Sequence, residues 1–206
     1  MSARELMKRA YTEVERPRLF MLACVLGIVL SILFPTDLQS YRTDPPNRSL
    51  LVVGTDSYGR FVSTAVQAAM PLLERDPVGM VQVVYVALAT TAGTHGLKFL
   101  VEDWAPWGAR LGERPSGPGS RHNMPSGHSS MASCAVYYLG RRYGWWHLLY
   151  SVPIMLLTMY ARVELHAHTI SAVCAGALMG LLMAAIFTGR RRAAAEPAAK
   201  PAVKPV

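Results

Sequence analysis

Residues 19–34, Leu-Phe-Met-Leu-Ala-Cys-Val-Leu-Gly-Ile-Val-Leu-Ser-Ile-Leu-Phe, form an unbroken run without a single charge. As a helix such a run is apolar on every face and has no side to show to water. Further apolar blocks follow at 61–73, 78–97, 128–140, 145–160 and 169–188. In hydrocarbon every backbone polar group must find its partner within the protein, which leaves helices as the simplest solution for blocks of this length. The pattern therefore predicts an all-α, polytopic integral membrane protein built as a six-helix bundle. The first run is somewhat short for a span of about 20 residues, so it is extended to Thr36 or its neighbours tilt. It reads as a retained span and not as a cleaved signal. The preceding segment carries Glu5, Glu13 and Glu15, and no small-x-small cleavage site follows.

Between the blocks the chain is polar. Residues 1–18 place Leu6, Ala10, Tyr11 and Val14 roughly on one face, as an amphipathic surface helix would. Residues 37–60 are rich in turn formers and are expected outside the membrane, as a lid or entrance. Residues 98–124 read as a loop, and Gly140 with Arg141 and Arg142 as the end of the fourth helix. Residues 1–188 form one membrane-embedded domain, and 189–206 form a basic disordered tail. Hydrophobic residues make up 51% of the chain and charged ones only 17%, a balance unusual for a water-soluble chain. The net charge of +8 falls at the ends of the apolar blocks and in one loop, so anionic lipid is the expected partner and nucleic acid is not. Cys24, Cys134 and Cys174 lie inside apolar blocks, where neither a disulfide nor a metal cluster is expected.

Chemistry concentrates at Met124-Pro125-Ser126-Gly127-His128. Pro125 cannot sit inside a helix, so a helix starts just after it, with Ser126 as a plausible cap. A helix start offers free N–H groups and a positive dipole end to an anion. Gly127 allows close approach to the backbone. Cations collect around it, with Lys98, Arg110, Arg114 and Arg121 before and Arg162 after, so the anion is read as a phosphate. Forty residues downstream, Arg162 and His168 stand six positions apart. Lys98, Arg114 and Arg162 are suited to neutralise phosphoryl oxygens, with Ser126 and the Gly127 amide adding hydrogen bonds. No carboxylate cluster of the kind that holds Mg²⁺ is present, so neither metal nor cofactor is expected. His95, His122 and His166 lie near this pattern without matching it, and His147 falls by the opposite end.

Lys98, Arg114-Pro115, Pro125-Ser126-Gly127-His128 and Arg162-x5-His168 together resemble the type 2 phosphatidic acid phosphatase superfamily, over roughly residues 94–180. The resemblance implies a metal-independent phosphoric monoester hydrolase. In it His168 would be the nucleophile, forming a phosphohistidine, and His128 would protonate the leaving group and then activate water. Within the superfamily, the stretches 113–117, 123–128 and 167–169 look most like bacterial lipid A 1-phosphatases. That likeness implies lipid A as substrate, with undecaprenyl pyrophosphate or phosphatidylglycerophosphate as alternatives, and a weakly active anionic-lipid-binding relative as another. The chain departs from the superfamily pattern at three places. The usual spacing after Lys98 reaches Ala105-Pro106 before Arg114-Pro115, Ala161 stands where a Ser precedes the Arg, and Ala172 stands where an Asp would orient His168. Ser171, Glu102, Asp103 or a backbone carbonyl are the candidates for that orienting role. With six spans, Lys8, Arg9, Arg16, Arg18, Arg75, Arg141, Arg142 and 190–192 share one side, which the positive-inside rule makes cytoplasmic. The site then faces the periplasm from a bacterial inner membrane.

Overall fold

The chain marks most helix starts with a residue that satisfies free amides. In the computed structural model of the chain, which describes residues 2–191, Ser2 and Glu5 exchange hydrogen bonds in a capping box that opens α1 (Ala3–Thr12). The apolar helix α2 (Arg18–Leu33) begins after Pro17, and Asp37 caps the short α3 (Leu38–Arg42). Then α4 (Leu50–Gly54) continues through a π-helical turn (Thr55–Gly59) into α5 (Arg60–Leu73) without a break. Asp76 caps α6 (Pro77–Val101), with Pro77 at the first position where its missing N–H costs nothing. Ser126 caps α7 (Gly127–Tyr143), a 3₁₀ turn (Trp145–His147) leads into α8 (Leu148–Glu164), and Thr169 caps α9 (Ile170–Phe187).

The described chain is all-helical, and each of the six apolar blocks lies in a helix. Three expectations change. The helix count among the described residues exceeds six, because α1, α3 and α4 stand beside the six apolar helices, and residues 50–59, read as turns, continue helix α5 upstream. Val52 is buried there, and Gly54 and Gly59 keep ordinary helical φ angles of −64° and −57°. Lys98 belongs to α6 and not to the loop after it. Gly140 does not end α7; it lies against Leu148, and the helix stops three residues later, before Gly144 at φ +121°. By length and composition, α6 and α9 are long and apolar enough to cross a membrane, and α2 is a shorter apolar helix. Most of the expected basic tail, 192–206, lies outside the described residues.

Helix α9 is the axis of the bundle and packs against α2, α6, α7 and α8. On α2, Cys24, Ile28 and Ile32 are buried while Leu22, Leu26 and Leu30 are exposed, so both stripes of this helix are apolar. Exposed leucines in such a row fit hydrocarbon, not water. The closest approach is between α7 and α9. A Cβ at Gly176 would overlap the Ser126 carbonyl oxygen, and one at Gly180 would overlap Ser130 O and Ser133 Oγ. Small residues let the two backbones touch, as in membrane helix pairs.

A buried ion pair closes the far end of the bundle. Arg142 grips both Asp76 oxygens, Nε–Oδ2 at 2.6 Å and Nη2–Oδ1 at 2.7 Å, and also donates to Gln82 Oε1 and Gly189 O. Asp76 still caps α6 through Gly79 N–H. The same end collects the Arg141–Glu15 and Arg191–Glu74 pairs, so the segment after α1, the α5–α6 turn, the end of α7 and the chain after α9 all meet there.

Gly176→Ala should force α9 off the start of α7. Overpacking of this kind costs about 1–3 kcal/mol, which lowers the thermal midpoint in detergent by roughly 2–10 °C for a chain of this size. Gly117→Ala, with nothing within 4 Å of the added carbon, should leave the midpoint unchanged.

Candidate active site

The Arg-x5-His spacing is the signature of a helix end folding back on itself. Helix α8 stops at Glu164, His166 turns the chain at φ +53°, and the amides of Ala167 and His168 both donate to Arg162 O at 3.1 Å. His168 is thereby returned beside Arg162. Helix α9 begins two residues later, and its contact with Ser126 places the start of α7 against this turn. The result is a cavity of about 720 Å³ between α5, α6 and α7, whose lining includes Lys98, Arg114, Gly127, His128, Arg162 and His168. Ser126, expected at the phosphate, is absent from the lining. It is fully buried, and its hydroxyl accepts from Ser129 N–H as the α7 cap.

His168 is 2% exposed. Its Nδ1 lies 2.6 Å from the Asn123 carbonyl oxygen, which can only accept, so Nδ1 carries the proton and Nε2 keeps its lone pair. The backbone carbonyl thus takes the orienting place. Ala172 is fully buried and its own carbonyl accepts from Ser126 N–H, while the Ser171 hydroxyl is engaged with Thr36 and Thr169. Asn123 is held for this task by its side chain. Its Oδ1 accepts from Thr169 N–H at 3.0 Å, and its Nδ2 donates to Leu111 O and Thr169 Oγ1. Burial, and then the Arg162, Lys98 and Arg114 charges, push the His168 pKa well below the ordinary histidine value, against the smaller opposing effect of the Asn123 bond. The ring is therefore neutral at pH 7, as a nitrogen nucleophile must be.

The cations around it are built in, not merely nearby. Lys98, 6% exposed, is held by Nζ donating to His122 O at 2.8 Å and Pro125 O at 2.7 Å. Arg162 donates from Nη1 to Asp56 Oδ1 at 2.8 Å. Arg114 stands in the loop and reaches His122 O, and Ala105-Pro106 takes no part in the lining. Burial, then the Arg162 charge, lowers the Arg114 pKa. The Nε atoms of Arg60, Arg114 and Arg162 are buried with no hydrogen-bond partner. Buried donors left unpaired are costly, and an anion in the cavity would draw these guanidinium groups into hydrogen bonds. Glu102 anchors the loop: burial raises its pKa, but hydrogen bonds from the His122 amide and Arg121 overcome that and keep it below the usual value. Arg42 of α3 fastens the same loop through Glu113 at 2.7 Å and Pro115 O at 3.2 Å.

Sequence reasoning did not single out Asn123, Asp56 or Arg60. Asp56 sits in the π turn on Arg162, and Arg60 lines the cavity and touches His128 Nε2. His95 and His122 also line the cavity, whereas His147 is buried at the other end beside Tyr150. The one signal in sequence was Asp56 and Arg60 at i, i+4 spacing.

Residues 79–194, more than half of the chain, match the PAP2 superfamily, and the chain belongs to that superfamily. A lipid A 1-phosphatase of Helicobacter pylori is 39% identical over 172 residues, covering 84% of this chain and 88% of the relative. The lipid A 1-phosphatase of a second strain is 41% identical over 170 residues, covering 82% and 86%. A lipid A 4'-phosphatase of that species is 35% identical over 121 residues, covering 58% of this chain and 61% of the relative.

Ala172→Asp, which restores the superfamily residue, should not raise turnover. It buries a carboxylate where Nδ1 of His168 is already engaged, at a cost of about 2–5 kcal/mol. The expected result is a lower thermal midpoint with unchanged or reduced phosphatase rate; a faster enzyme would show that the carbonyl is an inadequate substitute.

Proposed function

We propose that this chain removes the 1-phosphate of lipid A at the periplasmic face of a bacterial inner membrane, through a phosphohistidine on His168. It is a membrane lipid phosphatase and a phosphoric monoester hydrolase. The observation that carries the reading is the His168 Nε2 lone pair held in a cavity beside Lys98, Arg114 and Arg162. The 1-phosphate specificity rests on the two relatives that cover most of both chains.

The chemistry follows from the placement of these groups. Lys98, Arg114 and Arg162 neutralise the phosphoryl oxygens, and the Gly127 amide at the positive end of α7 adds a donor. His168 Nε2 attacks phosphorus as the bond from phosphorus to the lipid oxygen breaks. His128 gives that oxygen its proton. A water then attacks the phosphohistidine, passes its proton to His128, and inorganic phosphate leaves with His168 restored. Neutralisation falls to nitrogen cations throughout, so no divalent metal is needed for these steps.

The shape of the cavity suits an amphiphile. From Lys98 the lining continues along α6 through Thr94 and Thr91 to Ala87, a rise of about 16 Å at 1.5 Å per residue. Thr91, His95 and Phe99, one helical turn apart, line it and are exposed, so it opens sideways along α6. On the six-span reading, this opening faces hydrocarbon and the phosphate end faces the outer leaflet's head groups. The basic cluster at the far end of the bundle then lies on the cytoplasmic side.

Purified protein in detergent should release phosphate from lipid A in the presence of EDTA, and His168→Ala should abolish it. Acid-labile, base-stable labelling from ³²P-lipid A should be found in the wild type and lost in His168→Ala. Equal rates on lipid A carrying only a 4'-phosphate, or faster rates on undecaprenyl pyrophosphate or phosphatidylglycerophosphate, would overturn the substrate assignment. Because the His168 pKa is depressed, the nucleophile stays neutral as pH falls through about 6.5, where a free histidine is half protonated. The acid limb of kcat/KM attributable to the free enzyme should therefore lie below pH 6.5; a midpoint at or above that value would contradict the buried, cation-flanked geometry.

A further inference from the structure

His128 is not free to act in the resting arrangement. A guanidinium can only donate, so the contact from Arg60 Nη1 occupies the lone pair of His128 Nε2 and leaves the ring proton on Nδ1. Arg60 is weakly neutralised where it sits. Asp56 Oδ1 is 4.0 Å away and bonds Arg162 instead, at 2.8 Å. The Arg60 Nε is buried without a partner. The four side chains form one file from His128 through Arg60 and Asp56 to Arg162, its middle pair set by the π turn at Thr55–Gly59 and the first residue of α5. π turns inserted in longer helices recur at functional sites. Both Asp56 and Arg60 precede the stretch 79–194 that matches the superfamily.

We infer that Arg60 is a further catalytic residue, which leaves His128 Nε2 when substrate enters and donates to the oxygen that joins phosphorus to the lipid. This rests on the phosphatase reading above. The phosphate dianion draws the Arg60 guanidinium onto itself, as a charge-assisted donor pair outcompetes a neutral imidazole. With the guanidinium moved onto the phosphate and its charge offset by the dianion, His128 Nε2 takes up a proton from solvent. As the bond from phosphorus to oxygen breaks, that proton passes to the leaving alkoxide oxygen while Arg60 stabilises the charge growing there. Asp56 remains on Arg162 and positions it. When phosphate departs, Arg60 returns to His128. A free cation thus guards the acid until a phosphate arrives.

The test is leaving-group dependence. Arg60→Ala, Arg60→Gln and Arg60→Lys are assayed on an alkyl phosphate and on a nitroaryl phosphate carrying the same chain, whose leaving group needs no proton. Loss of a donor aimed at transition-state charge costs about 100-fold, so Arg60→Ala should lose about that factor in kcat on the alkyl phosphate. On the nitroaryl phosphate the same variant should lose less than about 5-fold. Arg60→Lys should recover part of the alkyl rate and Arg60→Gln should not. Equal losses on both substrates would make Arg60 a binding group only, and no loss on either would remove it from the site; both overturn the inference while wild-type turnover leaves the phosphatase reading standing. A wild type inert on both substrates would instead remove the reading itself.

Discussion

One hydrogen bond sets the character of the site: Nδ1–H of His168 to the Asn123 carbonyl. A carboxylate in that place would fix the tautomer and also stabilise positive charge on the ring. A carbonyl fixes the tautomer and adds no charge. The difference matters because Arg162, Lys98 and Arg114 all act on His168. A second buried carboxylate would draw on the same cations that the substrate needs. With a neutral acceptor, the positive field stays aimed into the cavity. The ring stays neutral because a proton on it would meet that field at close range. The phosphohistidine formed in the proposed mechanism carries its own anionic oxygens, so it brings the counter-charge that the carbonyl does not supply.

That bond is only as good as the placement of a backbone atom, and much of the structure serves to place it. Asn123 lies at the end of a loop with no regular structure, fastened at several points. Glu102 binds the amide of His122, Lys98 binds the carbonyls of His122 and Pro125, and Arg42 binds Glu113 and Pro115. The Asn123 side chain then ties the loop to Thr169, next to the ring it must meet. Lys98 has two duties here, as a charge in the cavity and as a clamp on the loop. The glycine contact of α9 with Ser126 brings the other wall into reach. Packing at Gly176 and chemistry at His168 are separate links of one chain, and the second depends on the first.

What could be read from sequence divides along physical lines. The apolar blocks declared their helices because burial in a low-dielectric medium acts on composition, which any stretch displays. Lys98, Arg114, His128, Arg162 and His168, which all line the cavity, were legible because charge and imidazole chemistry need a particular side chain. The Asn123 carbonyl was not, because every residue has one and no letter distinguishes it. Residues 54–59 misled because Gly, Thr, Asp and Ser favour turns in isolation. Here Leu50, Leu51, Val52 and Val53 start a helix whose packing carries it through both glycines, and tertiary contact overrides local preference. The offset of Arg114 from the usual spacing has a similar source. Residues 104–111 form extra turns, closed by Leu111 N–H on Trp104 O, and these lengthen the loop without moving Arg114 out of the cavity. Ser126 is the expected cap, its hydroxyl accepting from Ser129 N–H, and it does not line the cavity.

Asp56 and Arg60 show why a motif match is an incomplete description of a site. The matching stretch supplies the proposed nucleophile, the proposed acid and the cations beside them, all on α6, α7, α8 and their loops. The helix that crosses in front of them comes from earlier in the chain. Through the π turn it sets a carboxylate on Arg162 and a cation on His128, so both ends of the catalytic file are held by one segment. A helix that touches both the phosphate-binding arginine and the acid is well placed to couple them. When substrate charge displaces Arg60, the same segment keeps Arg162 in position through Asp56, and the site changes at one end without loosening at the other.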